Sequence, residues 1–188
     1  MGQLPKGSVT RRPPGHEVAV QRDFASLSPR EALRIAILVE ERNTHLYHRL
    51  GEMFSKFCPD SPQVPSAFFD LANTERQHGV LLTARYSVRF GALDTDTTEE
   101  SIVDLIEVPL LGIADILVAV EAGDVPSARR MAYEMALAAE QSTLNYYARL
   151  AESTPDPDLK ALYKEFVAFE QAHTDWLEQA LGEPSSAG

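Results

Sequence analysis

Two Glu-x-x-His pairs, Glu75-Arg-Gln-His78 and Glu170-Gln-Ala-His173, hold the residues of this 188-residue chain best suited to chemistry. Residues three apart in a helix project from one face. Glu170 and His173 share that face with Tyr163, Phe166, Leu177 and Leu181. A carboxylate and an imidazole on so apolar a stripe are costly to bury unless something pairs with them. Two further glutamates, Glu40 and Glu140, fall in the middle of apolar stripes in two other helix-forming runs. Four carboxylates and two imidazoles brought together need counter-charge, and two divalent cations supply four positive charges against four negative ones. Mixed carboxylate and imidazole donors suit iron, with manganese or a mixed pair fitting the same set, and the single Cys58 excludes an all-thiolate site. The competing explanation is a metal-free network of buried salt bridges and hydrogen bonds.

Four long helices are needed to position these six residues. Ser28-Pro29-Arg-Glu31 is a capping box with proline in the first turn. From there Leu33, Ile37, Glu40, Thr44, Tyr47, Gly51 and Phe54 recur at spacings of four and three, the seam of a helical bundle, as far as Cys58-Pro59. A turn over residues 60–65 leads to a second seam of Phe68, Leu71, Glu75, His78 and Leu82, with Gly91 at its end. The short connection predicts an antiparallel hairpin. Residues 92 to about 124 are too long for a bundle loop and read as a crossover with one or two short helices of its own. Asp124 and Pro126 open a third long helix with the seam Tyr133, Leu137, Glu140, Leu144, Tyr147 and Ala151. Asp156-Pro157 opens the fourth, which carries Leu159, Tyr163, Phe166, Glu170, His173 and Leu177 and closes at Gly182.

The two hairpins match each other. Glu40, Tyr47 and Leu50 correspond to Glu140, Tyr147 and Leu150 at one offset, and Phe68, Leu71, Glu75, His78 and Leu82 to Tyr163, Phe166, Glu170, His173 and Leu177 at another. The expected fold is therefore all-α: a four-helix bundle of two antiparallel hairpins joined by a long crossover over residues 28–182, the pattern of the di-iron carboxylate bundles. Residues 1–27, rich in proline and glycine, read as an extended or disordered arm, and residues 183–188 as a short polar tail.

The matching residues, Glu40 with Tyr47, Glu75-Arg-Gln-His78, Glu140 with Tyr147 and Glu170-Gln-Ala-His173, resemble the ferritin-like superfamily and within it the rubrerythrins. The resemblance implies a ferritin-like bundle with two iron ions. Glu75 and Glu170 bridge them, Glu40 and Glu140 are terminal carboxylates, and His78 and His173 serve one ion each, the four glutamates forming the catalytic centre. Tyr47 and Tyr147 orient carboxylates from outside the ligand set. The implied activity is a non-haem di-iron oxidoreductase that reacts with peroxide or dioxygen, peroxide reduction being favoured. A ferroxidase of ferritin type that stores iron, or a metal-free helical interaction module, are the alternatives. Two features depart from rubrerythrins. One cysteine cannot build a four-cysteine rubredoxin site, so electrons come from an external donor. The extra glutamate of the third helix has no counterpart, because Leu137 and Thr143 flank Glu140 three residues either side.

Other polar residues fall off the seams. Glu41, His45, His48 and Glu134 read as surface or rim groups, His16 lies in the arm, and Trp176 reads as packing. The formal charge of −11 and pI near 4.9 argue against nucleic acid or an anionic membrane as partner. No apolar run reaches a membrane span. The first residues lack the apolar core of a secretory signal. With a single cysteine, this makes the cytoplasm the expected compartment, and a homodimer is compatible with the chain.

Overall fold

The computed structural model describes residues 27–93 and 112–182; the arm, most of the crossover and the C-terminal tail of the sequence analysis lie outside the described residues. Five helices account for the rest: α1 Pro29–Phe57, α2 Gln63–Phe90, α3 Ile113–Glu121, α4 Val125–Ser153 and α5 Pro157–Gly182. No strand occurs among the described residues. α1 and α2 pack as one hairpin and α4 and α5 as the other, with α3 laid against α4 and α1.

Local chemistry sets the helix ends. Ser28 accepts from the Glu31 backbone N–H while Glu31 reaches back to the Ser28 N–H, a reciprocal cap for α1. α1 stops at Cys58, whose N–H donates to Phe54 O. Asp124 caps α4 by accepting from Ser127 N. Asp156 does the same for α5, accepting from the N–H groups of Asp158 and Leu159 at 3.0 Å each. α2 has no side-chain cap, beginning instead after Pro62. Gly91 and Gly123 take φ of 81° and 77°, left-handed conformations that let the chain leave α2 and enter α4.

The apolar core falls into two clusters. One gathers Leu33, Ile37, Leu82, Tyr86, Tyr146, Tyr147, Tyr163 and Phe166. The other gathers Tyr47, Phe54, Phe68, Leu71, Tyr133, Ala136 and Leu177, and α3 contributes Ile116 and Val120 to it. Each large side chain so buried is worth about 1.5–3 kcal/mol, so both ends of the bundle are firmly packed. Between them lies a layer of buried polar residues, and α1 from Ile35 to Glu40 is buried on every side.

Three seam positions beside the outer glutamates differ from the sequence reading. Thr44, Leu137 and Leu144 are only partly buried, whereas their neighbours Asn43, Ala136 and Thr143 are fully buried. At about 100° per residue the positions three and four after a glutamate straddle its direction, about 60° to one side and about 40° to the other, and the core lies on the side of Asn43 and Thr143.

Candidate metal centre

All six residues singled out by spacing meet in the polar layer. Glu40, Glu75, Glu140 and Glu170 are fully buried, His78 is buried, and His173 is slightly more open. Both histidines present Nδ1 to the carboxylates. His78 Nδ1 lies 3.6 Å from Glu40 Oε2, 3.8 Å from Glu75 Oε2 and 3.7 Å from Glu170 Oε1. His173 Nδ1 lies 3.0 Å from Glu75 Oε1, 3.5 Å from Glu140 Oε2 and 3.7 Å from Glu170 Oε2. Glu75 and Glu170 thus each turn one oxygen toward His78 and the other toward His173. The two imidazoles stack across the centre with ring centroids 5.5 Å apart.

The same atoms form two overlapping groups: Glu40, Glu75, His78 and Glu170, and Glu75, Glu140, Glu170 and His173. Within each, the donor atoms all lie within 4.8 Å of one another. Eight of them have no hydrogen-bond partner among the described residues: both oxygens of Glu75 and of Glu170, Oε2 of Glu40 and of Glu140, and Nδ1 of each histidine. At about 1–3 kcal/mol for each unsatisfied buried group, eight such atoms left bare would rival the whole stability of an ordinary domain, about 5–15 kcal/mol. Protons or cations must occupy the space, and donors of this kind fit divalent cations.

The remaining oxygen of each outer glutamate is held from the opposite hairpin. Tyr47 OH donates to Glu140 Oε1, and Tyr147 OH donates to Glu40 Oε1. Spacing alone pairs each tyrosine with the glutamate seven residues before it; the packing of α1 against α4 exchanges the partners. Burial and the neighbouring glutamate push both phenols well above their ordinary pKa, so they stay protonated donors.

Without a cation the centre is electrostatically divided. Burial, and then the charge of Glu75, push Glu40 well above the carboxylate range; burial and the charges of Glu75 and Glu40 do the same to Glu170. For Glu75 burial is outweighed by His173, His78 and Glu40, which bring it down to about 2. Burial opposes the charged histidines, but Glu40 and Glu75 raise His78 to about 9, and Glu140, Glu170 and Glu75 raise His173 to about 12. Protons on carboxylates and imidazoles thus supply counter-charge that bound cations could equally supply.

Asn43 and Thr143 are the buried polar pair that spacing missed. Asn43 Nδ2 donates to Thr143 Oγ1 at 3.2 Å, and Thr143 donates in turn to Ala139 O. The signal was present, since each stands three residues after an outer glutamate and the two are related by the same offset as Glu40 and Glu140. Glu41, His45 and His48 are exposed, Glu134 pairs with Arg130 at the surface, and Trp176 packs edge-on against Tyr133.

Two hairpins, a long connection and a mid-bundle layer of four glutamates and two histidines define a ferritin-like four-helix bundle with a buried carboxylate–imidazole cluster able to hold metal. Among solved structures, the chain is similar to an uncharacterised conserved protein from Magnetospirillum magnetotacticum MS-1, with a TM-score of 0.64 and 22% identity over 85% of this chain and 99% of the other. At that identity the likeness speaks for the fold and not for a reaction. No protein-family model matches the chain, and no curated protein does. No helix among the described residues is long and apolar enough to cross a membrane.

Proposed function

We propose that the chain is a dinuclear carboxylate metalloprotein of rubrerythrin-like type, and that its reaction is the reduction of peroxide. One observation carries the dinuclear reading: eight buried, unpartnered donor atoms fall into two groups that share Glu75 and Glu170. Glu40, Glu75, His78 and Glu170 would hold one ion, and Glu75, Glu140, Glu170 and His173 the other. Each shared glutamate turns one oxygen to each histidine, as bridging would require, while the outer glutamates have one oxygen committed to a tyrosine.

Two bound iron ions would supply the two electrons that, with two protons, convert one hydrogen peroxide to two waters. The chain's own residues prepare the place. Tyr47 and Tyr147 keep their protons and fix Glu140 and Glu40 in orientation. Phe166 and Leu177, fully buried on α5 four residues before Glu170 and four after His173, belong to the two apolar clusters that flank the polar layer. Thr143, beside Glu140, is engaged with Asn43, so the ligand exchange tied to the rubrerythrins' extra glutamate has no residue here to perform it. With one cysteine in these 188 residues, reducing equivalents would come from a separate donor. The choice of peroxide over dioxygen rests on the resemblance of the Glu-x-x-His pairs to rubrerythrins.

Metal analysis after expression with iron should return about two ions per chain; fewer than about one would overturn the dinuclear reading. Anaerobic reduction followed by mixing with peroxide or with dioxygen ranks the reactions. Fast reoxidation by peroxide supports the proposal. Faster reoxidation by dioxygen, with ferric iron accumulating from added ferrous iron, would replace it with a ferroxidase.

A further inference from the structure

The centre is buried, and one groove runs inward as far as the wall that Glu75 helps to form. Between α1 and α2 a cleft of about 400 Å³ is lined by Glu41, Thr44 and His45 on one side and Arg76 and Gly79 on the other, with Glu75 among its walls. Glu41 and His45 are exposed and one helical turn apart, so the mouth offers a carboxylate and an imidazole together. Further in, Thr44 Oγ1 is buried with no hydrogen-bond partner among the described residues. Arg76 donates to Asn73 Oδ1 at 2.8 Å, a contact that draws its guanidinium one turn back toward the start of α2. Glu75, whose two oxygens face the two histidines, belongs to both donor groups of the centre.

The duplication supplies a comparison within the molecule. At the offsets that relate the two hairpins, Thr44 corresponds to Leu144 and Gly79 to Thr174. Thr174 is buried and its hydroxyl donates to Gln171 O. The second hairpin therefore carries larger side chains at the two positions where the first has a small polar residue and no side chain at all. Folding does not demand that Gly79 be glycine. A Cβ there would meet Glu40 Cβ at 3.6 Å, an ordinary contact, and the backbone is not left-handed.

We propose that this groove is the route by which divalent cations reach the centre, with Glu41 and His45 gathering the ion at the mouth, Thr44 as the polar step and Gly79 leaving the passage open. The route rests on the dinuclear reading above. It assigns a task to residues outside the ligand set, and it makes the two hairpins functionally unequal.

Cobalt(II) is the probe, because its visible absorption reports both how much is bound and how fast. The variant Thr44→Leu with Gly79→Thr gives the first hairpin the side chains of the second. We expect uptake at least tenfold slower than in the unaltered protein, with the same final two ions per chain and the same urea midpoint for the metal-free forms. The single variant Gly79→Thr should fall between. An unchanged uptake rate in a double variant that folds and fills normally would overturn the route while leaving the dinuclear centre standing. A double variant that does not fold hands the test to Gly79→Thr alone, and if that folds and fills at the original rate the route is overturned. Failure of the unaltered protein to take up cobalt would overturn the dinuclear reading, and the route with it.

Discussion

Phe169 lies flat against the His78 imidazole, with ring centroids 4.9 Å apart and planes 14° from parallel. The position that corresponds to it in the first hairpin is Thr74, whose hydroxyl is turned to Asp70 O. One histidine of the pair is therefore clamped by an aromatic ring from the opposite hairpin, and His173 is the more open of the two. Shortening Phe169 to alanine should lower the urea-derived stability by about 2 kcal/mol, less than the ~3–5 typical of a fully buried phenylalanine because the ring is only partly covered. The loss should be larger in metal-loaded than in metal-free protein, since a mobile His78 is a poorer ligand. Equal losses would mean that the ring packs without positioning.

Tyr47→Phe and Tyr147→Phe each remove one hydroxyl and leave a buried glutamate oxygen unpartnered. We expect each to weaken metal binding by about 10–100-fold, the usual effect of deleting a group that orients a ligand. The internal pairing predicts similar losses for the two. Titration of the metal-free variants with cobalt measures both.

Glu170→Gln separates binding from folding. Burial and the charges of Glu75 and Glu40 already favour the protonated form of Glu170 in metal-free protein, and glutamine mimics that form. The metal-free variant should be at least as stable as the unaltered protein toward urea, while its metal content after loading should fall to half or less of that of the unaltered protein. A metal-free variant less stable by more than about 1 kcal/mol, roughly the worth of one ordinary hydrogen bond, would show that the carboxylate stabilises the fold by itself.

The pH dependence should have opposite signs with and without metal. His78 and His173 have folded pKa values raised to about 9 and about 12, so their stabilising contribution is complete below the ordinary histidine value and fades as pH rises through the folded ones. Glu40 and Glu170, raised by burial and neighbouring charge, act in the same direction at lower pH. Glu75 opposes them in acid, where its contribution is complete above the ordinary carboxylate value and is lost as pH falls from there through about 2. Metal-free protein should therefore lose stability between pH 6.5 and 9. Metal binding requires the deprotonated donors, so loading should release protons and tighten over the same interval. Urea midpoints in EDTA across that range, beside a proton-release measurement in weak buffer, check both signs.

Much of this was legible in the sequence because it depends on local rules. The caps at Ser28, Asp124 and Asp156 are matters of a few adjacent residues, and each is found where its motif stands. The Glu-x-x-His pairs needed only helical spacing and an apolar background to stand out. What spacing could not give was register between helices. Tyr47 and Tyr147 were expected to orient carboxylates, but which glutamate each holds depends on the height at which α1 meets α4, set by side-chain packing across the bundle. The pairing of Asn43 with Thr143 and the stacking of Phe169 on His78 are invisible for the same reason. Of the crossover, α3 alone lies among the described residues.

The exchanged tyrosines also bear on how such a chain arose. A lone hairpin would carry an outer glutamate whose hydroxyl partner is missing and a tyrosine with nothing to hold, and it would lack one of the four residues of one donor group and three of the four of the other. Neither repeat is a smaller working version of the whole. The centre needs both hairpins at once, and holding them in one chain lets Gly79 differ from Thr174, and Thr74 from Phe169, without either repeat having to satisfy both roles.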